Sequence, residues 1–266
     1  MKLLGFIGIG NMGGAIAASA VKAVDASDIL VSAKHSESAA AFSAKYGTVA
    51  STNLEIAAKA KYVVLGVKPQ YMEEVLKELQ PVLAERKGVI LVTMAAGLTM
   101  QNISDMAGGD YPVIRIMPNT PALIGQGVIV YDANSLVTQD DLNAYLATLA
   151  PAGLIDRIPE NTIDAASAVA GSGPAFTYLF LEALADGAVA CGVPRAKALE
   201  YGAQMLIGSA KLFLESDSHP AQLKDAVCSP GGSTMQGLRA LAAGGMRSAV
   251  MEAVIATYEK NKTFIK

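Results

Sequence analysis

A glycine-rich turn near the N-terminus constrains this chain more than any other stretch. The apolar run Leu3–Ile7 precedes it, Gly8, Gly10 and Gly13 follow the spacing G-x-G-x-x-G, and an alanine-rich stretch begins at Ala15. In dinucleotide-binding folds these glycines permit a tight turn, close approach of a pyrophosphate, and packing of the helix on the strand. The positive end of the helix then faces the phosphates. We predict a nucleotide site here, and a structural turn without a ligand is the alternative.

The charge and the rare residue types exclude several classes of protein. A net charge of −3 leaves no basic surface to neutralise nucleic-acid phosphates, and no apolar run reaches membrane-spanning length. Cys191 and Cys228 form no disulfide framework, and His35 and His219 are too few for a histidine-based zinc site. The N-terminal glycine-rich strand does not read as a signal peptide. We therefore expect a cytoplasmic protein without nucleic-acid, membrane or metal partners.

The first part of the chain alternates apolar runs with helical stretches. This alternation predicts an α/β fold with a doubly wound, mostly parallel sheet and right-handed crossovers. After the N-terminal run, the predicted strands are Ile29–Ser32, Tyr62–Val67, Val89–Thr93, Val113–Met117, Val128–Tyr131 and Leu154–Ile158. A helix near Gln139–Leu149 is predicted between the last two strands.

Beyond Pro159 the pattern becomes entirely helical. The predicted helices are Thr162–Val169, Pro174–Cys191, Arg195–Glu215, Pro220–Val227 and one from Ser233 to about Phe264. Pro174, Pro194 and Pro220 suit first-turn positions, where the missing N–H costs nothing. We predict two domains, residues 1–158 and 159–266. The apolar helices from Phe176 onward predict an oligomer, because one chain alone would leave them uncovered.

The residues that end the second strand favour NADP over NAD. An NAD-binding fold usually places an acidic residue there to accept from the ribose hydroxyls, but this segment reads Val-Ser-Ala-Lys-His-Ser from Val31 to Ser36. Ser32, Lys34 and Ser36 could instead hold a 2′-phosphate through hydrogen bonds and a point charge. An ordinary solvated loop is the alternative.

Three further segments follow strands and are expected at the same edge of the sheet. Lys68, stiffened by Pro69, would face the cofactor cleft, although a surface lysine is the alternative. Met94–Gly97 offers small side chains against which a flat nicotinamide ring could lie. Arg115–Pro121 is predicted as a rigid loop facing the same cleft, in which Asn119 could simply bond the local backbone.

Two glycine clusters mark the C-terminal part. Gly171–Ala175 begins a long helix. The segment either only leads the chain into that helix or also lines the site. Ser229–Thr234 reads as a turn into a helix N-terminus, whose exposed amides and three hydroxyls would bind an anion of carboxylate size. A capped helix start with nothing bound is the alternative.

Over nearly its whole length the chain resembles the pyrroline-5-carboxylate reductases. The motifs that carry the resemblance are Phe6–Met12, Val67–Pro69, Asn119–Pro121, Gly171–Ala175 and, most specifically, Ser229–Thr234. It implies a Rossmann domain, an all-α C-terminal dimerisation domain, and reduction of 1-pyrroline-5-carboxylate to L-proline with NADPH, NADH being less preferred. It also implies a homodimer as the minimal unit, with dimers able to assemble into a larger ring. The chain departs from the family's usual pattern at Ala242, where an acidic residue is common, and this leaves the chemistry untouched.

The resemblance also implies site residues. The cofactor contacts carry over to Ile7, Gly8, Ile9, Gly10, Asn11, Met12, Ser32, Lys34, Asn53, Gly66, Val67, Lys68, Pro69, Ala95, Ala96 and Gly97. The substrate contacts carry over to Ser229, Gly231, Gly232, Ser233 and Thr234, which in the family meet the cofactor of the partner chain.

Hydride transfer needs well-positioned carbons more than covalent help from the protein. We therefore expect Thr234 to orient the ring nitrogen and relay a proton from water, and Lys68 to add positive potential near the phosphates or the substrate. Two alternatives remain. A β-hydroxyacid dehydrogenase would carry a lysine where this chain has Thr177 or Leu181. A non-catalytic NADP sensor would not need the second anion site.

Overall fold

The computed structural model describes residues 2–263, and an eight-stranded sheet forms its N-terminal part. The strands are β1 (Lys2–Ile7), β2 (Ile29–Ser32), β3 (Val49–Ala50), β4 (Ala60–Leu65), β5 (Ile90–Thr93), β6 (Val113–Met117), β7 (Gly127–Ala133) and β8 (Gly153–Arg157). Their spatial order is β3-β2-β1-β4-β5-β6-β7-β8. Every neighbouring pair is parallel except β6 and β7, which confirms the predicted mostly parallel sheet.

Helices connect the strands and then form the C-terminal part. They are α1 (Asn11–Ala20), α2 (Ser36–Tyr46), α3 (Asn53–Lys59), α4 (Pro69–Ala84), α5 (Met100–Ala107), α6 (Gln139–Leu149), α7 (Glu160–Ala170), α8 (Gly173–Ala190), α9 (Arg195–Leu214), α10 (Pro220–Ala226), α11 (Ser233–Ala243) and α12 (Met246–Lys262). Short 3-10 turns cover Ala26–Asp28, Thr120–Ile124 and Ala150–Ala152. No helix in the described part of the chain is long and apolar enough to cross a membrane.

The sheet is covered by helices on both faces, because successive residues of each strand point to opposite sides. In β1, Leu4 and Phe6 are buried in a core with α1, α2 and α6. Ile7 faces the other way, into a core with α3, α4 and α5. The strand order reverses between β1 and β4, and in such sheets ligands bind beyond the carboxyl ends of the strands at that point. The doubly wound arrangement thus fixes where a cofactor cleft must lie.

Several predicted boundaries are wrong. The strand predicted to end at Val67 ends at Leu65, and Gly66 N–H continues the pattern with one bond to Ile7 O, at 2.8 Å. The predicted strand Val113–Met117 matches β6, so the loop predicted over Arg115–Pro121 begins only at Pro118. The two-residue strand β3 was not predicted, since so short a pair carries no periodic signal.

The C-terminal helices also differ in detail from the prediction. The last predicted helix is two helices, because Gly244 ends α11 and Gly245 takes a φ of +72°, which breaks the helix. Its predicted end near Phe264 lies outside the described residues. Pro220 occupies the first turn of α10 and Pro174 that of α8. Pro194 instead precedes α9 as its N-cap, with an extended ψ of 137°.

The chain packs as two compact units. One runs up to Pro174 and takes in the chain again from Thr257, and the other comprises Ala175–Ala256. Within the second unit, the described residues include only Ala185 and Ala198 as buried positions. Large apolar side chains such as Leu179 and Leu214 are exposed in the single chain. These units reflect packing within one chain, so the domain division between residues 158 and 159 stays a prediction.

Candidate active site

The glycine turn at the end of β1 has the geometry that its spacing predicts. Gly8 adopts a φ of +93°, a conformation that side chains other than glycine rarely take. Its N–H donates to Ser32 O at 3.0 Å, which ties the turn to the end of β2. A Cβ on Gly13 would lie 2.1 Å from Gly8 O, and one on Gly66 would lie 2.3 Å from the same oxygen. Three glycines therefore let β1, α1 and the end of β4 meet backbone to backbone.

Gly10 is different, because its space is open. A Cβ there would meet no atom within 4 Å, although the residue is the N-cap of α1. No side chain caps that helix start, so the first amides of α1 are available to a ligand. An open position beside uncapped amides is the cradle that a pyrophosphate requires.

Three of the predicted segments line one cavity of about 530 Å³ beside this cradle. Its lining consists of Gly10, Asn11, Met12, Gly66, Val67, Lys68, Pro69, Met94, Ala95 and Ala96. Lys68 is the exposed N-cap of α4, and Pro69 occupies the first turn of that helix. The lysine thus presents its charge at a helix N-terminus on the rim of the cavity. Gly97, which has a φ of +75°, ends the segment that follows β5.

A second cavity, of about 280 Å³, lies at the end of β2, where the adenosine ribose of a dinucleotide is expected. Ser32 Oγ donates to Asn53 Oδ1 at 2.7 Å, and Asn53 Nδ2 donates to Glu78 Oε2 at 3.0 Å. Lys34 Nζ lies 5.7 Å from the centre of the Tyr71 ring. The predicted residues Ser32, Lys34 and Asn53 are therefore brought together.

Glu78 also reaches this corner, and no local sequence pattern indicates it. No carboxylate ends β2, but α4 supplies Glu78 and Glu74 to the cavity from a distant part of the chain. The acidic residue that was sought directly after β2 thus comes from another helix. Its presence here depends on how α4 lies across the sheet, which local sequence patterns do not show.

The segment after β6 is held by side-chain bonds to the backbone. Asn119 is buried, donates from Nδ2 to Ala170 O at 2.9 Å, and accepts at Oδ1 from Val128 N–H at 2.9 Å. The Asn119 side chain therefore bonds the backbone of β7 and of the end of α7, and not the local backbone of its own loop as predicted. These bonds make the turn after Met117 rigid and use both ends of the asparagine amide.

The second predicted site lies in the other compact unit. Gly231 has a φ of +73°, and Gly232 N–H donates to Ser229 O at 2.9 Å, which closes the turn before α11. Gly232 is the N-cap of α11 and receives no side-chain cap. Ser233 and Thr234 are the first two residues of the helix and are exposed. The turn therefore offers uncapped amides and three hydroxyls in a surface position, which suits a small anion.

Two sequence families match the chain. Residues 160–264 match the family described as pyrroline-5-carboxylate reductase dimerisation. Residues 3–97 match the family described as NADP oxidoreductase, coenzyme F420-dependent.

Two relatives and one solved structure are similar to the chain over nearly its whole length. The pyrroline-5-carboxylate reductase of Escherichia coli K12 is 39% identical over 268 residues, which cover 100% of this chain and 99% of the relative. That of Pisum sativum is 38% identical and covers 97% of this chain and 94% of the relative. The NADP-bound pyrroline carboxylate reductase of Plasmodium falciparum has a TM-score of 0.91 at 31% identity, covering 100% of this chain and 98% of that one.

Proposed function

The chain belongs to the pyrroline-5-carboxylate reductase family, and we propose that it reduces 1-pyrroline-5-carboxylate to L-proline, the last step of proline biosynthesis. It is an NAD(P)-dependent oxidoreductase that acts on a cyclic C=N bond. The observation that carries this function is the match to reductases of that name along the whole chain at 38–39% identity.

The first unit fits the dinucleotide. Gly10 leaves open space beside the uncapped start of α1, and the cavity next to it is lined by Lys68 and the small side chains of Ala95 and Ala96. When bound, the dinucleotide supplies the hydride that reduces the imine carbon. The chain's part is to hold the phosphates on the amides of α1 and the ring against Ala95–Gly97.

NADPH is the proposed preferred form of the cofactor. Lys34 provides a positive charge at the ribose corner, and the hydroxyls of Ser32 and Ser36 line the adjoining cavity. These groups suit a 2′-phosphate. Glu78 works against it through its negative charge, so we expect NADH to be used as well, with lower efficiency.

The turn in the second unit is the proposed substrate site. The amides of Gly231, Gly232 and Ser233, together with Ser229, would hold the substrate carboxylate, as an uncapped helix start can. Thr234 Oγ would donate to the neutral imine nitrogen and pass it one proton that Thr234 regains from water, since a threonine hydroxyl is too weak an acid to be the sole proton source. It would then accept from the N–H of the iminium and keep it in position while the hydride adds to the carbon. Lys68 would stabilise the negative charge of the phosphates or of the substrate.

A homodimer is the proposed minimal unit. The second unit exposes large apolar side chains in the single chain and falls within the region that matches the dimerisation family. We propose that the Ser229–Thr234 turn of one chain meets the cofactor of its partner, and that dimers can assemble further into a ring. The net charge of −3 argues against a nucleic-acid partner, and two widely separated cysteines, Cys191 and Cys228, support a reducing compartment such as the cytoplasm.

The experiment is a comparison of substrates with the purified protein. NADPH oxidation in the presence of 1-pyrroline-5-carboxylate should be rapid and should form proline. Oxidation of a 3-hydroxy acid with NADP should be at background. Turnover of the hydroxy acid alone would contradict the proposal, and binding of NADPH without turnover of either substrate would indicate a sensor.

A further inference from the structure

Arg115 is a charged side chain on an inner strand of the sheet that the proposed mechanism does not use. It lies in β6, all five residues of which are buried, and its side chain is 1% exposed. Arginine is almost never fully buried unless it is paired, because the loss of hydration is costly. The burial of the Arg115 charge therefore requires that other groups pair with it.

Two carboxylates of α7 pair with this guanidinium. Nη2 donates to Asp164 Oδ1 at 2.8 Å, and Nη1 lies 3.7 Å from Glu160 Oε1. Nε has no partner among the described residues. The pairing thus joins strand β6 to the first half of α7.

The same carboxylate oxygens also accept from the backbone of the segment that follows β5. Gly97 N–H donates to Asp164 Oδ1 at 3.3 Å, and Met100 N–H donates to Glu160 Oε1 at 2.6 Å. Gly97 directly follows Ala95 and Ala96, which line the cofactor cavity, and Met100 begins α5 three residues further on. One buried cation therefore pairs with two acceptors, and each acceptor holds one amide of the segment that continues from the cavity wall.

We propose that Arg115 is a positioning residue, which acts through Asp164 and Glu160 to fix the Ala95–Gly97 wall against which the nicotinamide ring lies. The inference rests on the proposed function for the identity of the ligand. Replacing a buried ion pair by apolar side chains is often neutral for stability, so stability alone does not account for it. The network instead fixes the positions of two backbone amides next to the cofactor cavity. This matters because hydride transfer is sensitive to displacements of about 1 Å.

The test measures the loop itself as well as catalysis. In Arg115→Met, amide hydrogen exchange of residues 94–100 in the cofactor-free protein should accelerate about tenfold, since the two acceptors lose their anchor. The Kd for NADPH should rise about three- to tenfold and kcat should fall about tenfold, with KM for 1-pyrroline-5-carboxylate unchanged. The exchange measurement needs neither substrate nor turnover, so it stands even if the proposed function fails.

Arg86→Met is the matched control. Arg86 is a partly buried arginine that donates to Ala57 O at 2.6 Å and Ala60 O at 3.0 Å, at the start of β4, whereas the cavity lies beyond its end. It should lower the Tm without changing exchange in residues 94–100 or the Kd for NADPH.

A second pair of variants keeps the test decisive if Arg115→Met does not fold. Asp164→Ala should loosen residues 94–100 in the same way. Asp164→Asn keeps an oxygen for Gly97 N–H and should restore most of the protection and of kcat. The inference is overturned if exchange in this segment is no faster than in Arg86→Met at equal loss of Tm, or if NADPH affinity and kcat stay at wild-type values.

Discussion

Gly10→Ala should weaken cofactor binding strongly while leaving the fold intact. Gly10 has a φ of −64° and a ψ of −164°, which alanine adopts without strain, and the new Cβ would meet no atom within 4 Å. The lower entropy of the unfolded chain favours the variant by about 0.4–1 kcal/mol, and a poorer N-cap opposes this by a similar amount. The Tm should therefore stay within about 3 °C of the wild type.

The magnitude of the binding defect follows from the place of the added methyl group. It fills the open space beside the uncapped amides of α1, where the pyrophosphate is proposed to lie. Losing one or two charge-assisted hydrogen bonds costs about 2–4 kcal/mol, which raises the Kd for NADPH roughly 30- to 800-fold. Fluorescence titration with NADPH and a thermal melt of the same sample measure both quantities.

Gly13→Ala is the control that separates the two effects. Its Cβ would lie 2.1 Å from Gly8 O, a backbone atom that cannot move aside cheaply. We expect a loss of stability of about 1–3 kcal/mol or more, visible as a lower Tm. A normal NADPH affinity in Gly10→Ala, or a Tm as low as that of Gly13→Ala, would refute this assignment of the two glycines.

Three further predictions concern the substrate, the cofactor and the assembly. Thr234→Ala should lower kcat about ten- to a hundredfold because the ring nitrogen loses its orienting hydroxyl, and an unchanged kcat would remove Thr234 from the mechanism. Lys34→Ala should raise the KM for NADPH about tenfold and leave that for NADH nearly unchanged, since only NADPH carries the 2′-phosphate; an equal effect on both would show that Lys34 does not read it. Light scattering at low protein concentration should show no stable monomer, because the second unit exposes Leu179, Leu214 and other large apolar side chains. A well-behaved monomer would contradict this.

Local patterns predicted much of the fold. The α/β class, most strands and helices, and the convergence of the glycine turn with Lys68 and Ala95 all follow from periodicity and from the rule that cofactors bind beyond strand ends. The break at Gly244-Gly245 was missed because the apolar pattern continues on both sides of it, although a Gly-Gly pair is itself a turn signal.

What the sequence could not predict depends on contacts between distant residues. The strand Val113–Met117 was predicted, but the pairing that buries Arg115 within it was not, because its carboxylate partner Asp164 lies 49 positions away. Glu78 reaches the ribose corner through the placement of α4 over the sheet. In both cases the fold satisfies a polar group from a remote element, and no local spacing records that pairing.

The most direct test of the account is a crystal structure of the protein with NADPH and a proline analogue bound. The account predicts the pyrophosphate beside Gly10 at the start of α1, and the analogue's carboxylate on the amides of Gly231–Ser233. It also predicts the analogue's ring nitrogen next to Thr234 Oγ. An analogue bound away from residues 229–234, or a dinucleotide away from the glycine turn, would contradict it.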